Sequence, residues 1–242
     1  MFKLTTSYGS KILWFLRIGR SKKFAKKMEI KDNFLHAIKK LREDNKKERK
    51  FDQTLDIIVN LKDFDSRKQS FNIFVNLPNK IKEKKIAGFF EKEKKIINVI
   101  KKDDFIRYKE KKDIRKLIKE YDFFIANSKL MPLIASSFGR VLGPAGKMPS
   151  PQLGILASEE ENLIKNLVDK INKSIRIIVK QPSIKVGVAK ISSDNEGIAD
   201  NLVSVYNKIL ENLPKGIDNI RNVKIKFTMS KPVAVEIKWH QK

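Results

Sequence analysis

The chain is 242 residues long and carries 53 Lys and Arg against 28 Asp and Glu, a formal charge of +25. That excess exceeds what solubility needs and makes nucleic acid the default partner. With no cysteine and only two histidines, the composition excludes a disulfide framework, a thiolate nucleophile and a Cys-rich zinc cluster.

Residues 1–27 contain eight Lys or Arg and no acid, with one short apolar run, Ile12 to Leu16. The run is too short to span a membrane, and no small-residue cleavage site follows it. The composition break at Met28 marks the preceding residues as a basic N-terminal extension, either a tail or the product of an upstream start. A transit peptide and a membrane-surface segment have the same basic, acid-free character.

From Met28 the periodicity becomes regular. Phe34, Leu35, Ile38 and Leu41 mark one face of an amphipathic helix that ends in the charged run Asn45 to Lys50. Leu55, Ile57, Val59 and Leu61 alternate with Asp56 and Asn60 in a strand. A second alternation, Phe71, Ile73, Val75 and Leu77, closes at Pro78.

The pattern then changes to short continuous apolar runs: Ile86 to Phe90, Ile96 to Ile100 and Phe123 to Ala126. Strands buried on both faces read this way, so a small parallel sheet is expected, with helices at Lys111 to Glu120 and Ser128 to Ser136. The block ends in Phe138 to Gly154, where seventeen residues hold four glycines, three prolines, Arg140 and Lys147. That composition encodes a defined loop rather than a helix or strand. No Asp or Glu occurs from Phe123 to Ser158, so its cations suit a polyanion. The loop is not a phosphate cradle of the form GxxxxGK[ST], because Val141 stands for the first Gly, Met148 for the hydroxyl residue, and Pro144 lacks an N–H.

The first style then returns. Glu160 to Ile171 is helical, Ile175, Ile177 and Val179 alternate, Pro182 turns the chain, and Val186 and Val188 continue as strand. Ile198 to Leu210 forms a helix stopped by Pro214 and Gly216. Val223, Ile225 and Phe227 lead to Thr228-Met229-Ser230, and Val233, Val235 and Ile237 resume the alternation. The expected architecture is an α+β domain with an antiparallel sheet and helices, split between residues 28–79 and 156–242. A small three-layer, Rossmann-like α/β domain at 80–155 interrupts it.

No pair of carboxylates stands out among the lysines. His36 reads as a helix-surface residue and His240 as a tail residue, so no enzyme, metal or cofactor is expected. On general burial statistics, Phe51 reads as a core residue and Thr228 as a strand-end residue.

Four motifs in order resemble the ribosomal L-one family, archaeal and eukaryotic branch, from about Met28 onward. They are Lys50-Phe51-Asp52-Gln53-Thr54; Tyr121-Asp122-Phe123-Phe124-Ile125-Ala126 with Leu130-Met131-Pro132-Leu133; Leu142-Gly143-Pro144 with Gly146-Lys147-Met148-Pro149; and Thr228-Met229. The resemblance implies a protein of the large-subunit stalk that binds stalk ribosomal RNA mainly through the split domain. It implies RNA contacts at Lys50, Phe51, Thr54, Asn222, Thr228, Met229 and Ser230, reversing the burial reading of Phe51 and Thr228. It places Arg140, Gly143, Gly146 and Lys147 in a secondary RNA or interdomain loop near a hinge, at 77–80 and 152–158. Exit-site transfer RNA is the further partner implied, and the protein's own messenger RNA another, through translational repression. The protein is then a cytoplasmic, ribosome-associated chain, monomeric when free and without stable membrane association. Ser230 departs from the family, which usually has Gly there, and Asn222 stands where Ser is frequent. Two other classes stay open: a generic basic RNA binder or RNA chaperone, which explains the charge but not the ordered motifs, and a small-molecule enzyme built on the inserted domain.

Overall fold

The structure, a computed structural model, describes residues 28–45, 49–65, 68–93, 96–108 and 110–236. The basic extension at 1–27, Ile237 and His240 lie outside the described residues.

Helix α1, residues 28–44, buries Phe34, Ile38 and Leu41 completely and leaves His36 exposed. Strands β1 (Thr54–Leu61), β8 (Ser183–Lys190), β9 (Ile220–Phe227) and β10 (Val233–Ala234) form an antiparallel sheet in the order β10-β9-β1-β8. In β1, and in β9 from Asn222 onward, burial alternates residue by residue. Leu55, Ile57, Val59, Val223, Ile225 and Phe227 therefore point into the core and their neighbours line the opposite face. Helix α5 (Asn195–Asn212) packs on β8, started by Asp194, whose carboxylate accepts from the Gly197 N–H at 3.0 Å. Its Tyr206 meets Phe34 of α1 edge-on, with ring centroids 6.1 Å apart.

Strands β3 (Ile86–Phe89), β4 (Asn98–Ile100), β5 (Phe123–Asn127) and β6 (Ile155–Leu156) form a parallel sheet in the order β4-β3-β5-β6. Alternate residues of its central strands feed two separate cores. Ala87, Phe89, Phe124 and Ala126 join Ile114 and Leu117 of α2 (Lys111–Glu120) and Ile134, Phe138 and Leu142 of α3 (Met131–Leu142). Phe89, Phe105 and Phe138 pack with centroid separations of 4.9 to 5.8 Å. On the other face Ile86, Phe90 and Ile125 meet Ile164 and Ile171 of α4 (Glu161–Asn172). A Cβ at Gly88 would lie 2.4 Å from the Phe90 ring, so only Gly permits this side chain to fold back over the strand.

The chain divides into two compact units by contacts: one extends to Asn72 and resumes at Ile177, the other is Ile73–Arg176. It passes between them within β2 (Phe71–Asn76) and β7 (Ser174–Val179), which pair as a two-stranded sheet. These crossings differ from the expected boundaries at 79/80 and 155/156, and from the expected hinge segments. Helix α4 accounts for most of the difference. Periodicity identified its apolar stripe but not the surface it covers, and Ile164 and Ile171 cover the parallel sheet. The Gly/Pro segment also starts later than its composition suggests. Phe138 to Leu142 complete α3 because Phe138 and Leu142 are fully buried and Gly139 sits where the helix meets open space.

Lys84 secures the end of α4. Its ammonium donates to the carbonyls of Ile171, at 2.7 Å, and Ser174, while its N–H donates to Asn172 Oδ1 at 3.1 Å. Burial lowers its pKa, with the nearby Asp122 pulling the other way. Lys84→Ala leaves the Ile171 carbonyl at the helix end and the Ser174 carbonyl at the start of β7 without this partner, and a stability loss of about 1–3 kcal/mol is expected. Urea denaturation checks it, and an unchanged midpoint would show the contact to be idle.

Candidate nucleic-acid interface

The two chain segments that the motifs single out meet at one end of the two central strands of the antiparallel sheet. Antiparallel pairing of β1 with β9 places Leu55 opposite Phe227, so Thr54 and Thr228 stand just beyond the end of the ladder. The Thr54 N–H donates to Thr228 Oγ1 at 3.2 Å, and the Thr228 N–H donates to the Thr54 carbonyl at 3.1 Å. One residue further on each side, the Met229 N–H donates to Gln53 Oε1 at 3.2 Å. The junction holds two large apolar side chains in solvent, Phe51 at 52% and Met229 at 59% exposure. Both belong to the expected contact set. The burial statistics alone mislead at Phe51.

Ser230 closes the turn after β9. Its Oγ accepts from the Phe227 N–H at 2.8 Å, and its own N–H donates to the Phe227 carbonyl at 3.0 Å. The Cβ that Gly would lack is thus accommodated, and the hydroxyl stiffens the turn. Lys50 is exposed just before Phe51. Asn222 sits apart from the junction, about 20 Å along the strand by the rise per residue, and its side chain lies opposite Asn60.

Gln53 and Asp52 belong to the quoted motif but not to the expected contact set, yet they build the junction. Gln53 is 2% exposed, and besides Met229 its carbonyl accepts from the Ile191 N–H at 2.9 Å. Asp52 accepts from the Ser192 N–H at 3.3 Å and the Ser192 hydroxyl at 3.0 Å. A sequence signal exists for Gln53. It shares the parity of Leu55, Ile57 and Val59 and is the polar member of that inward series.

The face of the sheet turned away from the core continues from this junction. Thr54, Asp56, Ile58 and Asn60 of β1 share it with Lys185 and Gly187 of β8 and Asn222, Lys224 and Lys226 of β9. A Cβ at Gly187 would come within 2.9 Å of Thr54 Cγ2 and 3.2 Å of Asp56 Oδ1, so Gly gives both side chains room. Burial pushes the Asp56 carboxyl above its usual range, against the pull of Lys226.

The Gly/Pro segment behaves differently from expectation. Lys147 does not project: its ammonium donates to the carbonyls of Ile118 and Tyr121 at 2.6 and 2.7 Å, at the C-terminal end of α2. Unpaired carbonyls and the negative end of the helix dipole attract a cation there more strongly than open solvent does. Gly146 takes φ +69° and its carbonyl accepts from the Arg176 guanidinium. Gly143 caps α3 with a helical φ of −59°, its N–H donating to the Gly139 carbonyl at 3.0 Å. Arg140, in the last turn of α3, is exposed. Among the described residues, no group of three or more His, Asp or Glu side chains is placed to hold a metal ion. No described helix is long and apolar enough to cross a membrane.

Residues 38–231 match the model of the "Ribosomal protein L1p/L10e family". The chain belongs to this ribosomal protein family. Its relatives include archaeal large-subunit proteins. It is 37% identical over 201 residues to the large ribosomal subunit protein uL1 of Thermococcus kodakarensis, covering 78% of this chain and 91% of that protein. It is 33% identical over 217 residues to uL1 of Methanothermococcus thermolithotrophicus, with 85% and 99% covered. The figure is 36% over 217 residues for uL1 of Methanocaldococcus jannaschii, with 85% and 96% covered. The L1 family match begins inside α1 and ends just past the Thr228–Ser230 turn, so it spans both halves of the junction.

Gln53→Ala removes the acceptor for the Met229 N–H and leaves the Ile191 contact intact, because that one uses main chain. A stability loss of about 1–3 kcal/mol is expected, read by thermal melting, with Gln53→Glu closer to wild type because it retains the acceptor. Asp56→Asn tests the raised carboxyl. A folded-state pKa above the unfolded one means the native protein binds more protons, so Asp56 costs stability as pH rises through its pKa. The Asn variant should melt higher than wild type at pH 7, and the gap should close by pH 3. A gap that widens toward low pH would contradict the burial effect.

Proposed function

We propose that this chain is a structural protein of the large ribosomal subunit whose split unit binds the stalk region of large-subunit ribosomal RNA. The observation that carries the reading is the Thr54–Thr228 junction, which fixes two half-exposed apolar side chains, Phe51 and Met229, beside a lysine-bearing sheet face. Structured RNA is recognised through sugar edges, phosphates and shape, and this surface supplies hydroxyls, main-chain groups, a flat ring and cations together. The contact residues are Lys50, Phe51, Thr54, Asn222, Thr228, Met229 and Ser230. Phe51 and Met229 supply apolar area, Thr54 and Thr228 fix the junction, and Lys50 adds attraction.

The parallel-sheet unit is, in this reading, an inserted Rossmann-like α/β domain with helices on both sides. It carries the acid-free stretch in which Arg140 remains available to RNA, whereas Lys147, Gly143 and Gly146 hold the loop in shape. The function is architectural rather than catalytic: the protein stabilises a movable RNA stalk that contacts deacylated transfer RNA at the exit site and assists its release. Binding to its own messenger RNA, repressing translation, uses the same surface. The protein works without a cofactor in the cytoplasm, on the ribosome, and is monomeric when free.

The test is binding to the organism's own stalk RNA and to an unrelated duplex across a salt series, with Thr228→Ala and Met229→Ala alongside. Electrostatics alone falls steeply with salt for both RNAs and ignores the variants. A preference for the stalk RNA of about a hundredfold, roughly 3 kcal/mol, that either variant reduces supports the proposal. Equal binding of both RNAs would reduce the chain to a generic basic RNA binder.

A further inference from the structure

At the far end of the sheet face from Thr228, three polar side chains form a row across three strands. Asn60 of β1 lies opposite Ser183 on β8 and Asn222 on β9. The Ser183 hydroxyl donates to Asn60 Oδ1 at 2.8 Å, and Asn60 Nδ2 donates to Asn222 Oδ1 at 2.6 Å. The row has a direction. Each oxygen is taken by the residue before it, so the amide at the end, Asn222, has its acceptor satisfied and its Nδ2 without a partner among the described residues. A carboxamide ordinarily offers both a donor and an acceptor. Held this way, Asn222 has one of its two acceptor lone pairs taken and keeps both Nδ2 donors free. The next rank along the same face holds Lys185 and Lys224, either side of Ile58, which brings positive charge up to the row.

Within the RNA-binding reading, on which it rests, we propose that Asn60, backed by Ser183, is a positioning residue that turns the Asn222 amide nitrogen outward to read an acceptor oxygen of the bound RNA. That oxygen belongs to a phosphate or a ribose 2′-hydroxyl. Asn60 itself touches no RNA. A serine at position 222 would offer a freely rotating hydroxyl, whereas the asparagine, with its oxygen held by Asn60, presents its donors in a fixed direction and depends on that neighbour to do so.

The experiment measures stalk-RNA affinity for wild type, Asn222→Ala, Asn60→Ala and the double variant, with thermal melting to confirm that each is folded. Asn222→Ala should weaken binding about tenfold, the loss of one hydrogen bond to a charged or polar oxygen. Asn60→Ala should weaken it severalfold, and the double variant should match Asn222→Ala alone, because Asn60 acts only through Asn222. The slope of affinity against salt should stay unchanged in all three, since no phosphate-neutralising cation is removed. A 2′-deoxy scan and a methylphosphonate scan of the RNA separate the two sources. The Asn222→Ala penalty vanishes at one 2′-deoxy nucleotide if the acceptor is ribose, and at one methylphosphonate linkage if it is phosphate. Additive losses from Asn60 and Asn222, losses below twofold, or a penalty that vanishes only when guanosine is replaced by inosine would overturn the proposal. The last would show Asn222 accepting from a base amino group. If wild type itself shows no preference for stalk RNA, the RNA-binding reading fails instead, and the two failures are told apart by that control.

Discussion

The antiparallel pairing of β1 with β9 is the constraint on which the rest of the molecule depends. It joins segments 174 residues apart at Thr54 and Thr228. The chain after β1 must therefore leave this sheet and return to it, adding β8 before β9. A closure of that length has a large entropic cost before any contact forms. The compensation is a strand pair in which every second side chain is buried, from Leu55 to Leu61 and from Val223 to Phe227, and each fully buried aliphatic chain contributes about 1.5–3 kcal/mol. The exposed patch stands at the end of this ladder, where the main-chain groups are held but the side chains are released to solvent.

The positive charge divides between two tasks. Lysines such as Lys185, Lys224 and Lys226 line the sheet face turned away from the core. Lys84 and Lys147 instead turn inward onto carbonyls at the ends of α4 and α2. The same residue type thus gives one surface its positive charge and terminates helices within the parallel-sheet unit. A net charge of +25 overstates the cations available to a ligand, and a salt slope would count only the first group.

Strand and helix positions were largely legible because their burial follows local period. The alternation from Leu55 to Leu61 and the continuous runs at Ile86 and Phe123 became an antiparallel and a parallel strand set in the structure. What the period could not carry was the partner of each face. Helix α4 has a clear apolar stripe, yet only contact with Phe90 and Ile125 assigns it to the parallel sheet. At the site, family motifs pointed to Phe51 and Met229, while Gln53 and Asp52 became meaningful only once their bonds to Met229 and Ser192 were in view. Lys147 misled because a cation beside glycines and prolines reads the same whether it projects or folds back.

By itself the sequence determined the element types, the core-facing residues, the basic character and the family, since each of these rests on local composition, period or motif order. The tertiary structure decided which sheet α4 covers, which lysines are free, and that Ser183, Asn60 and Asn222 form one directed row. The physical reason is that hydrogen-bond partners and buried faces are set by strand register between distant segments. A shift of a single residue would move every one of these side chains to the opposite face.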